Sequence, residues 1–379
     1  MMTTKQDKLA EGTVHLKEST AEENVKMKKM RLRIGYGLTV LLLIVGIVIS
    51  VGLAVAIGST TIHAKDVYRV IWYECFHPSA LADYASGAIH DVIWLIRLPR
   101  IMLAVAVGGG LAICGIVMQA LVRNPLADPY LLGISSGASL GATVAILLGV
   151  GTFFGENYVG IVAFIGAFSA SILVLTIANT GSRANPVKLL LSGLAVNAVF
   201  SSFSSFIVYV ANDKDGIQDI TFWLMGSLGG AKWSNVIWIY IVVFAGMFFF
   251  MTQYRTLNMM LLGDEVGITL GISLHAPRQY YMIITSLMIG FIVFASGMIG
   301  FVGLMMPHFA RMLFGTDHKK NMPIAFCFGA IFMIWADVLS RIVIPYTELP
   351  IGIFVSMFGS PFFIYMLVRR QYGFGGGKS

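Results

Sequence analysis

The sequence predicts an all-α polytopic membrane protein with about ten transmembrane helices. Of its 379 residues, 57% are hydrophobic and only 12% are charged, whereas a soluble domain carries about 25% charged residues. The mean hydropathy is +0.81. Apolar runs of about 20 residues, the length that crosses a bilayer, recur along the chain between short polar connections.

Ten apolar segments account for most of the chain after its polar start. The eighth is short and interrupted by glycine, so a broken or re-entrant helix is an alternative there. The predicted segments cover about residues 34–58, 101–122, 130–150, 158–180, 187–211, 233–252, 280–299, 301–315, 322–345 and 350–368.

The two ends of the chain are polar. Residues 1–33 end in a basic cluster, and the apolar run that follows is long enough to stay in the membrane rather than be cleaved as a signal peptide. We therefore expect a disordered tail over residues 1–33, a ten-helix membrane domain over 34–370 and a second tail over 371–379. In the membrane domain, the long polar segments 59–100 and 252–278 exceed simple connectors, and the first of them is expected to contain an interfacial helix.

The distribution of basic residues predicts the orientation. With the N-terminus inside, 19 of the 26 Lys and Arg residues lie on the inner side and the other 7 on the outer side. This excess places both termini in the cytosol. It also explains the net charge of +7 by contact with anionic lipid, without a nucleic-acid partner.

The segment Leu121 to Gly141 predicts tight helix packing. Its double-proline turn, Asn124–Pro129, separates two apolar spans, and glycines at 133, 137 and 141 follow at intervals of four. Such spacing lets another membrane helix approach closely.

No catalytic or metal-binding constellation is apparent in the sequence. The three cysteines have no metal-like spacing, and His308 has no second histidine or carboxylate spaced to join it as a metal ligand. Leu191-Ser192-Gly193 lies inside an apolar span, and Gly375–Ser379 has no strand before it or helix after it, so neither is expected to bind ATP. The chain is therefore predicted to be neither an ATPase nor another enzyme.

A short helix is predicted within the inner segment 252–278. Asp264 and Glu265 suit its first turn, and Gly271 suits its end. Two interpretations remain open on these residues alone: a peg that enters a partner's groove, or a helix that lies on lipid.

Five motifs in order resemble the iron–siderophore and cobalamin permease family of ABC importers, the FecCD-type subunits of type II importers. The resemblance runs over about residues 34–370. The motifs are Arg97-Leu98-Pro99-Arg100, the Asn124–Pro129 turn, Gly263-Asp264-Glu265 with Leu270-Gly271, Gly300-Phe301-Val302-Gly303-Leu304 with Pro307-His308 and Arg311, and Glu348-Leu349-Pro350-Ile351-Gly352.

The resemblance implies a type II importer permease that moves ferric siderophore across a bacterial cell membrane, with cobalamin or haem as alternative ligands. The implied partners are a second permease subunit, identical or paralogous, two cytosolic ABC ATPases and an extracellular or periplasmic siderophore-binding protein. No cofactor would be bound directly, because ATP and Mg²⁺ would lie on the ATPases.

The resemblance also implies roles for residues at the two membrane faces. The inner segment becomes the ATPase-coupling element, with Asp264, Glu265, Gly267 and Gly271 as contact residues. The family often has Ala where this chain has Gly267 and a polar residue where it has Ile268. On the outer side, Arg97, Arg100 and Arg341 resemble a set that docks carboxylates of the binding protein, since guanidinium groups bind carboxylates bidentately. Alternatively, Arg341 could pair with Asp337 four residues before it.

The fifth span carries a polar stripe. Asn197, Ser201, Ser204 and Ser205 share one helical face, which either bonds to neighbouring helices or lines a water-filled path. The family places this helix on the translocation path. The outer segment that follows resembles a gate, with a capped helix end and flexible loop as the alternative; its residues are Gly226, Ser227, Gly229 and Gly230.

A different class, an ion-coupled secondary transporter, competes with this interpretation. It would need ionisable residues within the membrane, and Asp337 is the main candidate.

Overall fold

The structure is a computed structural model that describes residues 35–58, 62–181, 183–344 and 347–368. The predicted tails, residues 1–33 and 371–379, lie outside the described residues. The chain divides into the compact units Met1–Val45 and Gly46–Ser379. The contacts described below belong to the second unit.

The described residues form α-helices with a few short 3₁₀ turns and no strand. The helices, in chain order, are α1 Gly35–Ala56, α2 Ala64–Phe76, α3 Ala88–Leu121, α4 Ile134–Leu148, α5 Tyr158–Asn179, α6 Pro186–Ala211, α7 Lys214–Leu224, α8 Trp233–Thr252, α9 Tyr254–Leu262, α10 Asp264–Thr269, α11 His275–Ser296, α12 Val302–Phe314, α13 His318–Ile342 and α14 Ile351–Val368.

The predicted fold class is confirmed. Among the described residues, seven helices are long and apolar enough to cross a membrane, and α4 and α14 are shorter apolar helices. Each of the ten predicted segments overlaps one apolar helix, the eighth being the 13-residue α12. Helix α2 is the helix expected in the segment 59–100. Because successive spans alternate in direction, the connections gather at two ends, which we call the α2 end and the α10 end.

Helix α3 is the centre of the bundle and differs from its prediction. It begins at Ala88 rather than at residue 101, and it passes through a π-helical stretch, Asp91–Arg97. At 1.5 Å per residue its 34 residues extend about 50 Å. The predicted start was wrong because Arg97 and Arg100 end the apolar window, although both side chains are buried in the fold.

Glycines allow other helices to lie directly on α3. A Cβ added at Gly108 would collide with the carbonyl group of Gly329 on α13, and one added at Gly115 would collide with that of Gly303 on α12. The absence of side chains at these crossings brings the backbones together and gives each crossing a large van der Waals contact.

The three spaced glycines of the Leu121–Gly141 segment have two different structural roles. Gly137 and Gly141 pack against the backbone of α5 at Gly166 and Val162, as the spacing predicts. Gly133 instead precedes α4 with a φ of +78°, a conformation that glycine adopts without steric cost. The stripe is therefore a packing surface at two positions and a turn at the third.

The Asn124–Pro129 turn runs along α12, from the α10 end towards the interior of the bundle, and does not stay at the α10 end. Arg311, near the end of α12, donates to the carbonyl oxygen of Pro125 at 3.4 Å. The ring of Pro129 lies against Gly303 at the start of the same helix. The turn thus runs antiparallel to α12, and α4 begins within the bundle. This explains why α4, with 15 residues, is short for a span.

Candidate functional site: a transport path with two end elements

A cavity of about 1000 Å³ lies along α6 and α14. Its wall is mostly apolar, with three methionines and a few polar groups. This volume is at the upper end of the range for sites of small organic molecules. We call it the α6–α14 cavity; it is lined by Asp128, Tyr130, Ser135, Leu194, Asn197, Leu224, Met225, Met298, Gly300, Phe301, Leu304, Gly352, Ile353, Ser356, Met357, Ser360, Pro361 and Phe363.

The polar stripe of α6 divides between the two interpretations that the sequence left open. Asn197 lines the α6–α14 cavity. Ser204 is buried and its Oγ lies 2.8 Å from the Oγ1 of Thr143 on α4, a bond between helices. Ser201 and Ser205 are exposed and do not line the cavity. The role of the stripe in a translocation path stays a prediction. Asn197 is the stripe residue that lines the cavity.

The segment predicted as an outer gate directly follows two residues that line the cavity. It follows α7, whose last residue Leu224 lines the cavity together with Met225. Gly226 has a φ of +73°. The N–H of Ser227 donates to Ser296 O at 2.9 Å, and the N–H of Gly352 donates to Met225 O at 2.9 Å. These two bonds join the segment to the end of α11 and the start of α14.

The two later glycines of this segment are less constrained. The N–H of Gly229 donates to Ser227 Oγ at 3.1 Å, which closes a local turn. A Cβ added at Gly230 would meet no atom of the described residues within 4 Å. The segment therefore has a fixed half, Gly226 and Ser227, and a loosely packed half, so its glycines do not all serve the same purpose.

Helix α10 forms the short helix expected in the segment 252–278. It begins at Asp264 and ends at Thr269, and Gly271 then turns the chain with a φ of +72°. Glu265 is exposed. Gly267 is buried, and a Cβ there would lie 3.1 Å from Ile272 O and 3.2 Å from a Leu274 methyl group. An alanine at 267 would therefore require a small shift of this turn.

The exposed face of α10 and the turn after it is apolar. Exposed fractions are 71% for Ile268 and 58% for Leu270. Asp264 is held from behind, because Arg278 Nη2 donates to its Oδ1 at 2.6 Å. The result is a braced helix with an apolar outward face, which a partner protein could cover.

The three arginines predicted to dock a binding protein are buried near the α2 end. Arg100 Nε donates to Asp337 Oδ1 at 2.7 Å, and its Nη1 binds both carboxylate oxygens of Glu348 at 2.8 and 3.0 Å. Arg341 Nε lies 3.1 Å from Asp337 Oδ2. The alternative of a local Asp337–Arg341 pair is thus present in the structure.

Two of these arginines also bind the end of α1. Arg97 donates to Val55 O at 2.8 Å, and Arg341 donates to Ala54 O at 3.3 Å and Ile57 O at 3.2 Å. Carbonyl groups at a helix C-terminus lack partners in the helix and carry partial negative charge, so guanidinium groups stabilise them. Docking through these arginines stays a prediction, and it requires some of these internal bonds to open.

Sequence reasoning missed the internal partners of these cations. Glu348 is the first residue of the fifth motif, and Arg278 is the last residue of the inner segment 252–278, but neither position indicates an ion-pair partner. Periodicity cannot find such pairs, because Arg100 and Glu348 are 248 residues apart in sequence. Among the described residues, no group of three His, Cys, Asp or Glu side chains could hold a metal ion.

A bundle of membrane-spanning helices with a ligand-sized cavity and a braced apolar helix at one end defines the class of membrane transport permeases. Comparison with known proteins specifies the family. Residues 42–369 match the FecCD transport family. The chain therefore belongs to the FecCD transport family and is an ABC importer permease.

Individual relatives extend over most of the chain. The hemin transport system permease protein HmuU of Yersinia pestis is 34% identical over 338 residues, covering 87% of this chain and 96% of that protein. The vitamin B12 import system permease protein BtuC of Salmonella paratyphi A is 36% identical over 290 residues, covering 76% and 87%. A solved structure described as an inward-facing conformation of a metal-chelate type ABC transporter is 26% identical, with a TM-score of 0.73 over 88% of this chain and 99% of that chain.

Proposed function

We propose that this permease moves ferric siderophore into the cytosol of a bacterium, driven by separate ATPase subunits. The observation that carries the proposal is the pairing of the α6–α14 cavity with the braced helix α10 at one end of the same bundle. The solved structure of metal-chelate type supports a chelated metal as cargo, a class that includes ferric siderophore, haem and cobalamin. Haem and cobalamin are the alternative ligands, since HmuU and BtuC are named for hemin and vitamin B12.

The proposed assembly contains two permease subunits, identical or paralogous, and two cytosolic ABC ATPases that bind ATP and Mg²⁺. An extracellular or periplasmic siderophore-binding protein docks at the α2 end, where Arg97, Arg100 and Arg341 are the docking candidates. The apolar face of α10 contacts an ATPase at the other end. Both termini lie in the cytosol, and the protein resides in the cell membrane.

The mechanism is alternating access. Asn197 faces ligand in the α6–α14 cavity, while Gly226, Ser227, Gly229 and Gly230 close its outer mouth. ATP binding to the ATPases favours one state of the permease. Because Asp264 is held by Arg278 at the foot of α11, displacement of α10 is transmitted to a helix that reaches Ser296, the partner of Ser227 in the gate segment.

Reconstituted complexes in proteoliposomes test the ligand and the energy source. Uptake of ⁵⁵Fe-siderophore is expected to require ATP, the ATPases and the binding protein, and to exceed uptake of haem or cobalamin. Uptake that persists without any ATPase subunit would favour the ion-coupled secondary transporter instead.

Substitutions in α10 test coupling within the same complexes. Asp264→Ala with Glu265→Ala is expected to leave basal ATP hydrolysis in place but to remove most ligand-dependent uptake. The control is Glu156→Ala, which removes an exposed carboxylate at the opposite end, where it pairs with Lys232. Normal coupled uptake in the double variant would contradict the role of α10.

A further inference from the structure

A second cavity, of about 420 Å³, lies beside α10 and shares no lining residue with the α6–α14 cavity. It opens between the connection from α5 to α6 and the start of α11. We call it the basic cavity. Its lining residues are Arg183, Ala184, Asn185, Asp264, Ile268, Gly271, Ile272, Ser273, Leu274, His275 and Arg278.

Arg278 lines the basic cavity and has unused hydrogen-bonding capacity. Only 2% of this residue is exposed. Its Nη2 binds Asp264 at 2.6 Å, and its Nη1 makes a long bond of 3.4 Å to Ala184 O. Within the described part of the chain, its Nε has no acceptor. A buried charged donor without a partner is costly, so the site favours an additional acceptor.

The other polar groups of the cavity reinforce this preference. Arg183 is exposed and adds a second guanidinium group. His275 uses its Nε2 with Gln279 at 3.3 Å, while its buried Nδ1 has no partner among the described residues. Asp264 is the single carboxylate among the lining residues of the cavity. The cavity therefore carries excess positive charge and repels a metal cation.

We propose that the basic cavity binds a phosphate group, supplied either by the headgroup of an anionic lipid or by free phosphate. Phosphate offers several oxygens to the planar donor sets of two arginines, and basic cavities between membrane helices are suited to anionic headgroups. The binding site itself does not depend on the proposed function. Its consequence for transport does: a phosphate bound to Arg278 would share that guanidinium group with Asp264, which begins α10.

The full chain, purified in neutral detergent, provides the test in two arms. Native mass spectrometry measures retention of phosphatidylglycerol against phosphatidylcholine. Thermal unfolding in sodium phosphate against sodium chloride at equal ionic strength measures free phosphate. Retention of phosphatidylglycerol identifies a headgroup as the source, whereas stabilisation by phosphate without lipid retention identifies the free ion.

Two variants and one matched control make the result specific. Arg183→Gln is expected to weaken binding about tenfold, as the loss of one charge-assisted hydrogen bond would. Arg278→Lys keeps a charge for Asp264 and is expected to abolish binding, because lysine does not reproduce the planar donor set. Lys320→Gln removes an exposed charge at the same end outside the cavity and is expected to bind as the unmodified chain does.

Two results would overturn the proposal. One is the absence of binding in both arms for the unmodified chain. The other is an equal loss in Arg183→Gln and Lys320→Gln, which would mean that only the general charge of this end matters. If Arg278→Lys fails to fold, the comparison of Arg183→Gln with Lys320→Gln still decides the outcome.

Discussion

Asp337 should be the most sensitive residue of the charged cluster at the α2 end. Its side chain is fully buried and serves two guanidinium groups, Arg100 at 2.7 Å and Arg341 at 3.1 Å. Glu348 binds Arg100 as closely, at 2.8 Å, but 58% of its side chain is exposed. The two carboxylates thus differ in burial rather than in distance to the cation.

This difference sets the expected magnitudes. Asp337→Asn leaves two buried arginines without the carboxylate between them, and breaking a buried pair costs about 3–5 kcal/mol. Glu348→Gln removes a solvent-exposed partner, for which about 1 kcal/mol or less is expected. The free energy of unfolding should therefore fall by at least about 2 kcal/mol more in Asp337→Asn, by subtraction of these ranges.

Equilibrium unfolding of the detergent-solubilised permease with increasing SDS provides the measurement. A triple replacement of Arg100, Asp337 and Arg341 by methionine adds a second check, because substituting a whole buried ionic group by apolar side chains is often close to neutral. The triple variant should be more stable than Asp337→Asn. Equal losses in Asp337→Asn and Glu348→Gln would refute the argument from burial.

Two further predictions concern orientation and packing. A membrane-impermeant maleimide applied to intact cells should label the exposed Cys75 and spare the buried Cys114 and Cys327; labelling of Cys75 only after the cells are opened would reverse the assigned orientation. Gly115→Ala should lower the free energy of unfolding by about 1–3 kcal/mol, the usual cost of overpacking, because the new methyl group meets the backbone of α12. Gly52→Ala is the matched control, because a Cβ there meets no atom within 4 Å in the part of the chain that the structure describes; a similar loss in both would contradict the close-packing argument.

Length and hydropathy were sufficient to predict the fold class because they are local properties of the chain. Each apolar segment needs only its own residues to be recognised, so all ten appear as helices. The helix in the inner segment was predicted for a similar reason: Asp264 and Gly271 mark its start and the turn after its end without reference to distant residues.

The predictions were wrong where residues far away in sequence determine whether a side chain is buried or exposed. Arg97 and Arg100 indicated a helix end in an outer, aqueous region, yet their partners on α1, on α13 and before α14 bury them within a longer α3. The residues of the stripe on α6 likewise differ in their surroundings. Ser204 bonds to a neighbouring helix because α4 places Thr143 opposite it, whereas Asn197 lines the cavity. Neither contact leaves a periodic signal in the sequence.

The burial of α3 separates the residues that hold the bundle together from the residues that face a ligand, two groups that a sequence comparison does not distinguish. Over Leu98–Leu121 nearly all residues of α3 are buried, so this part of the helix sets the positions of its neighbours but offers little surface to a ligand. The lining of the α6–α14 cavity comes instead from α4, α6, α7, α12, α14 and the connections next to them. A change of cargo can therefore arise by substitution on these peripheral elements while the central helix stays the same, so one scaffold can serve chemically different ligands.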